Sequence, residues 1–214
     1  MPDMLTFDIS SATQQRVGLI VRGKFGPNHH PGKLDQHADC ILPNGAPMGF
    51  FGEGNDNSGN GIGLRMQGVV YDFARMEIER PYYVDRAKAL AARVVSTVLL
   101  VGVDSAAAKL FKNAWEAMTK EPGDFNIIGG NCASHASAAF IHAKILGKQI
   151  PGLDTPDNLY KQLVGAVSAD QCSTITGFIG FARRAGQTGF KLEVTPYVDA
   201  PTANRPNPGS SISG

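Results

Sequence analysis

The chain has 214 residues, 43% hydrophobic and 18% charged, a balance that suits a globular domain with a sizeable core and excludes a mainly disordered chain. Its formal net charge is +1, and Lys and Arg are scattered rather than clustered with aromatics, so there is no footprint for nucleic acid. The most apolar stretch, Ala87 to Val103, is broken by Lys88, Arg93 and Ser96 and falls short of the ~20 apolar residues of a membrane crossing.

In chain order, Val17 to Val21 is short, apolar and rich in branched residues, as a buried strand is. Gly26 to Gly32, with two prolines around Asn28-His29-His30, reads as a loop. His37 to Leu42 and Ala46 to Phe51 flank Pro43-Asn44-Gly45, and Asn-Gly is the pair that tight hairpin turns select. Gly52 to Gly63 is dominated by Gly, Asn and Asp and is expected as a loop. Val69 to Phe73 and Arg75 to Glu79 are candidate strands.

Helical spacing then takes over. It predicts helices over Asp85–Val101, Asp104–Lys120, Asn131–Leu146 (closed by Gly147) and Asp154–Val167, with a β-branched run, Val94 to Val98, standing against the first. Phe178 to Phe181 and Phe190 to Val194 read as strands. Residues 1–200 are taken as one catalytic domain. Residues 201–214, mostly Pro, Asn, Gly and Ser, are taken as a flexible tail.

Cys40, Cys132 and Cys172 are too few and too separated for a disulfide framework, so each is expected as a free thiol. A thiol becomes a useful nucleophile at neutral pH when its thiolate is stabilised, as it is at a helix N-terminus with open amides. Cys132 is predicted at such a position. Gly129, Gly130 and Asn131 precede it and the small Ala133 and Ser134 follow, so that Gly130 and Asn131 are candidate substrate contacts. The amides there could also face a developing oxyanion. His37, opening a strand, is the preferred base. His135 and His142 share the helix with the thiol and suit the role less, and His29 and His30 remain open as alternatives. Pairing across the Asn44-Gly45 turn sets Phe51 or Gly52 opposite His37, which leaves Glu53, or else Asn55 or Asp56, to orient the ring; a solvated loop carboxylate is the plain alternative for Glu53.

A histidine opening a strand hairpin, His37 to Gly45, followed about ninety residues later by Asn131-Cys132-Ala133-Ser134-His135 opening a helix, resembles the circularly permuted papain-like branch of the NlpC-type amidase superfamily. That branch includes the lecithin:retinol acyltransferase-like proteins and bacterial peptidoglycan enzymes. The resemblance spans Val17 to Leu146. It implies an α+β fold with an antiparallel sheet packed against helices, and a cysteine hydrolase, without cofactor or metal, that cleaves an amide bond in peptidoglycan stem peptides.

No basic segment followed by an apolar run opens the sequence, so synthesis in the cytoplasm without a Sec signal is expected. Together with the resemblance, this suggests an antibacterial effector exported by a type VI-like secretion machine into a target-cell periplasm and held by an immunity protein. Two rivals stand beside that reading. One is a lipid acyltransferase or thioesterase of the same fold, for which the apolar Phe50-Phe51 pair speaks. The other is a non-enzymatic binding or structural module. A zinc site built from His29, His30, His37 and Cys40 is disfavoured, because His37 and Cys40 lie three apart on a strand and face opposite ways.

Overall fold

A computed structural model describes residues 3–11, 14–30, 36–54, 65–126, 129–148, 155–186 and 188–198. Its frame is one antiparallel sheet of nine strands: β1 (Leu5–Asp8), β2 (Gln15–Arg22), β3 (His37–Ile41), β4 (Pro47–Glu53), β5 (Arg65–Tyr71), β6 (Ser96–Val103), β7 (Asp124–Asn126), β8 (Cys172–Arg183) and β9 (Phe190–Pro196). The spatial order is β1-β9-β8-β6-β2-β3-β4-β5-β7. Five helices complete it: α1 (Phe73–Glu79), α2 (Arg86–Ala91), α3 (Ser105–Lys120), α4 (Cys132–His142) and α5 (Pro156–Ala166). None of these helices is long and apolar enough to cross a membrane. The expected α+β class, an antiparallel sheet packed against helices, is what the chain forms.

Both faces of the central strands are buried, so they carry apolar residues continuously rather than alternately. Leu19, Val21, Ala38, Cys40, Leu99 and Val101 pack on one face with Phe111 and Trp115 of α3, Ala136 and Phe140 of α4, and Leu159 and Leu163 of α5. Ile20, Ile41, Val98 and Leu100 pack on the other with Phe73 and Met76 of α1 and with Val84. Helix α2 packs against β8 and β9.

The hairpin forms as its turn residues require. Gly45 sits at φ 83°, where a side chain is strained, and Asn44 Oδ1 accepts the Ala46 N–H at 3.1 Å. Helix α3 starts where expected, with Asp104 Oδ1 accepting the Ala107 N–H at 2.7 Å.

Three expected elements differ. Arg75 to Glu79 is helical rather than extended, because Asp72 Oδ1 caps the Arg75 N–H at 2.9 Å and Phe73 and Met76, three apart, reach the core together. The helix expected over Asp85–Val101 is a short helix followed by a central strand: α2 stops, Arg93 turns back at φ 56°, and the β-branched run enters β6 between β2 and β8. Helix α4 ends before Gly147, in a left-handed turn at Lys144 (φ 61°) that folds the Ile145 N–H onto Phe140 O at 3.0 Å. The short β1 and β7 had no sequence signal. Nearly all of the expected Gly52–Gly63 loop, and the 201–214 tail, lie outside the described residues.

Candidate active site

Asn131 builds the end of α4. Its extended backbone stops the helix, and its Oδ1 accepts the Ala133 and Ser134 N–H groups at 2.9 and 3.0 Å. Ser134 Oγ accepts the Asn131 N–H at 2.8 Å, which completes a reciprocal cap. Cys132 is thereby the first helical residue, as expected. The Asn131 side chain is committed to the cap, and Gly130 bridges to Asn126, whose N–H donates to Gly130 O at 2.7 Å. Both residues shape the turn that presents the thiol.

Helix α4 lies on the first face of the sheet, whereas His37 and Asp39 project from the second. A seam in the sheet lets them meet. The β3–β4 ladder runs from Ile41↔Pro47 to Asp39↔Gly49 and stops there, while β4 continues along β5 to Glu53↔Gln67. At the parting, the Ala38 N–H donates to Cys132 Sγ at 3.4 Å, where a regular ladder would have supplied a carbonyl of β4. The same sulfur is hydrogen-bonded to His37.

His37 is held on every side. Nε2 lies 2.7 Å from Asp39 Oδ1, which leaves Nδ1 to serve the thiol. The ring stacks on Phe51, at 4.3 Å and 23°, and lies parallel to Tyr83 of the 3₁₀ turn Pro81–Tyr83, at 5.6 Å and 20°. Asp39 is fully buried. Its Oδ2 accepts Arg22 Nε–H at 2.8 Å, and the equally buried Arg22 also donates to Ser96 Oγ at 3.4 Å and to Tyr83 O at 3.0 Å.

These contacts set the protonation states. Burial alone would lower the His37 pKa, but the Asp39 carboxylate, the Cys132 sulfur and hydrogen bonds to both raise it from 6.5 to about 10. Burial alone would raise the Cys132 thiol, but the His37 charge, its hydrogen bond and the Ala38 N–H bring it below its ordinary value. Asp39, against the same burial, is held low by His37 and Arg22. All three shifts run toward a thiolate–imidazolium pair backed by a carboxylate.

Glu53 does not orient His37. Its carboxylate accepts the Tyr71 hydroxyl and pairs with Arg75, and the ring is held by Asp39, the alternate residue of its own strand. Pairing across the hairpin pointed to Glu53 for that group. The signal lay along the strand, since His37-x-Asp39 at a spacing of two places both side chains on one face. Asn55 and Asp56 lie outside the described residues.

Three of the other histidines are engaged elsewhere, and His142 is exposed in the last turn of α4. His135 stacks on Phe50 at 3.4 Å, with its ring nitrogens 3.2 Å from Asn131 O and Pro122 O. His29 Nδ1 accepts the Phe25 N–H at 3.3 Å, and His30 lies 3.2 Å from Asp157. Cys40 is sealed in the core, where burial first and then the Asp39 charge push its thiol up. Phe50 and Phe51 are buried as packing for the two rings, so they line no open apolar channel. Comparison of the chain with protein-family models, with curated proteins and with solved structures finds no match.

Proposed function

We propose that this protein is a cysteine hydrolase in which Cys132 is the nucleophile, His37 the proton carrier and Asp39 the group that orients His37. The carrying observation is the hydrogen-bonded series from Cys132 through His37 to a buried Asp39. A histidine that makes a helix-tip thiol more acidic and is itself held by a buried carboxylate is the arrangement that activates a cysteine nucleophile.

The thiolate attacks the acyl carbon of an amide, and the carbonyl π electrons move to oxygen. The Asn131 cap occupies the Ala133 and Ser134 amides and not that of Cys132, which makes the Cys132 N–H the donor best placed for the oxyanion. As the intermediate collapses, the His37 imidazolium gives its proton to the departing amine, and a thioester remains on Cys132. Neutral His37 then takes a proton from water as the water attacks the thioester, and the acid leaves with the thiolate restored.

The proposed fold relationship remains the permuted papain-like one. The order histidine strand then cysteine helix supports it, as does the delivery of the helix tip to the histidine. Stem-peptide amides of peptidoglycan are accordingly the proposed substrate, and an exported effector with an immunity partner the proposed setting. Burial of Phe50 and Phe51 takes away the feature that favoured a lipid substrate.

The test is chemical. Iodoacetamide is expected to modify Cys132 ahead of the partly exposed Cys172 at neutral pH, and incubation with peptidoglycan sacculi is expected to release peptides with new termini by mass spectrometry. Equal labelling of Cys132 and Cys172 would refute the enzyme. Selective labelling with intact sacculi and cleaved phospholipid would return the lipid reading.

A further inference from the structure

Four groups, Arg22, Asp39, His37 and Cys132, form one buried file of alternating charge across three elements. Arg22 stands on β2 directly opposite His37, at the register pair Arg22↔His37, and its guanidinium reaches along the second face to Asp39. Arginine suits this place because its planar fork makes several directed bonds at once and does not lose its proton.

Resting on the hydrolase reading, we infer that Arg22 is a positioning residue that keeps the Cys132–His37 pair ionised and clamps Tyr83 against the His37 ring. Two observations carry this. The first is charge. With Arg22 present the file is neutral overall: guanidinium, carboxylate, imidazolium, thiolate. Without it, the same three remaining charges leave one net negative charge with little water around it, and such a cluster takes up a proton. The thiolate is the most basic anion in the file, so it is the one that protonates.

The second observation is geometric. One Arg22 Nη–H donates to Tyr83 O at 3.0 Å, and the guanidinium carbon lies 4.4 Å from the centroid of the Tyr83 ring. That ring lies against His37 next to Phe51, with the Phe51 and Tyr83 centroids 6.3 Å apart. A single side chain therefore sets the carboxylate behind His37 and the aromatic wall beside it.

Among the described residues, few titratable groups face the file. Asp39 and Cys132 face His37 with Tyr83 beside them, and Cys40 lies behind Asp39 on the opposite face of the strand. Tyr83 is raised well above the neutral range by burial and by Asp39, and Cys40 is raised likewise, so neither titrates in the window used below. Tyr82 and Arg80 stand farther out, around Tyr83. Glu53 on β4 is held by Tyr71 and Arg75.

The experiment reads the rate of Cys132 alkylation by iodoacetamide against pH in the full chain, with labelled sites resolved by mass spectrometry and folding checked by circular dichroism. Arg22→Met and Arg22→Gln remove the charge; Arg22→Lys keeps it without the fork. In both neutral variants the alkylation midpoint is expected to move up by about one pH unit or more, slowing Cys132 roughly tenfold near the foot of the wild-type profile. The plateau rate at alkaline pH is expected to stay. In Arg22→Lys the midpoint is expected to hold while Tyr83, no longer clamped, loses its protection from hydrogen exchange at the 3₁₀ turn. An unchanged midpoint in whichever neutral variant folds overturns the inference, as does a shift in Arg22→Lys equal to that of the neutral variants. If neither neutral variant folds, Arg22→Lys decides: a midpoint that holds while Tyr83 loses exchange protection supports the inference, and a midpoint raised by about one pH unit or more, or unchanged protection at Tyr83, overturns it.

No substrate enters this measurement. A wild-type Cys132 no more reactive than Cys172 would sink the proposed function itself, whereas a reactive Cys132 indifferent to Arg22 would sink only the role given to Arg22.

Discussion

Among the described residues, two aspartates are buried against a buried cation and a histidine, and only one of the two groups touches a thiol. Arg22, Asp39 and His37 form the first; Lys24, Asp157 and His30 form the second. Lys24 is wholly buried, with its ammonium 2.7 Å from Asp157 Oδ1 and also bonded to His29 O. Here the ingredients are those of the catalytic file, but the histidine side chain is 62% exposed, against 14% for His37. Asp157 is further shared with Lys161, which faces solvent. The second group therefore ties α5 to the chain leaving β2, and its histidine is an exposed edge. What separates a tether from a candidate active site is burial of the imidazole and a sulfur at its far nitrogen, not the residue types.

That contrast breaks most sharply at the two aspartates. Asp39→Asn removes the negative charge behind His37 and the acceptor that fixes its orientation, and is expected to lower turnover by on the order of 10²–10⁴ while Cys132 remains present. Asp157→Asn leaves Lys24 buried without its carboxylate and is expected to cost about 3 kcal/mol of stability, with Cys132 alkylation unchanged within about threefold. Steady-state kinetics and urea unfolding of both variants check the pair. A comparable loss of activity from both would mean that the two groups are not functionally distinct.

A smaller effect comes from the residue opposite Asp39. Gly49 pairs with Asp39 on β4, and a Cβ there would run into Asp39 Oδ1. Gly49→Ala is thus expected to push the carboxylate away from His37, costing about 1–3 kcal/mol through overpacking and roughly tenfold in turnover. Full activity with lowered stability would show that Asp39 can shift without consequence for His37.

The pair's titration should also be visible in stability. His37, raised from 6.5 to about 10, contributes stability that is complete below 6.5 and lost as pH rises through about 10. Cys132, lowered from 9.0, contributes stability that is complete above 9.0 and lost as pH falls through its folded value. At a pH above both 6.5 and the folded Cys132 value, and below 9.0, the folded chain holds an extra proton on His37 and the unfolded chain one on Cys132, so the two slopes oppose and the summed contribution is flat. Cys132→Ala leaves the His37 term alone. Relative to wild type it should then lose up to ~1.4 kcal/mol per pH unit as pH rises through that window, measured by urea unfolding at several pH values.

The parts legible in the sequence were those fixed by local chemistry. Asn44-Gly45 specifies a tight turn wherever it stands, and Asn131 with Ser134 specifies a helix start, so the strand bearing His37 and the tip bearing Cys132 could both be read. Asp85 to Val101 misled because a central strand buried on both faces and a helix both present apolar residues at intervals of three and four. Only the branched Val94 to Val98 favoured the strand. Asp39 was readable from its spacing to His37 alone. Arg22 was not, since its place opposite His37 depends on how β2 and β3 align, and nothing local fixes that register.

Glu53 supplies the mildest and most discriminating test. It was the carboxylate expected to orient His37, and it lies at the end of the strand that borders the seam. Its oxygens are committed to Tyr71 and Arg75, and Tyr71 stacks on Phe51, which in turn stacks on His37. Any influence of Glu53 on the ring therefore passes through two aromatic contacts, which transmit position but little charge. Glu53→Gln keeps the shape and a hydrogen bond to Tyr71 while removing the charge. It should change turnover by less than about threefold and leave the Cys132 alkylation midpoint in place, since the Arg75 pair is half-exposed and worth about 0–1 kcal/mol. A fall as large as that of Asp39→Asn would mean that the carboxylate governing His37 is the one at the end of β4, and the two-residue spacing along β3 would lose its meaning.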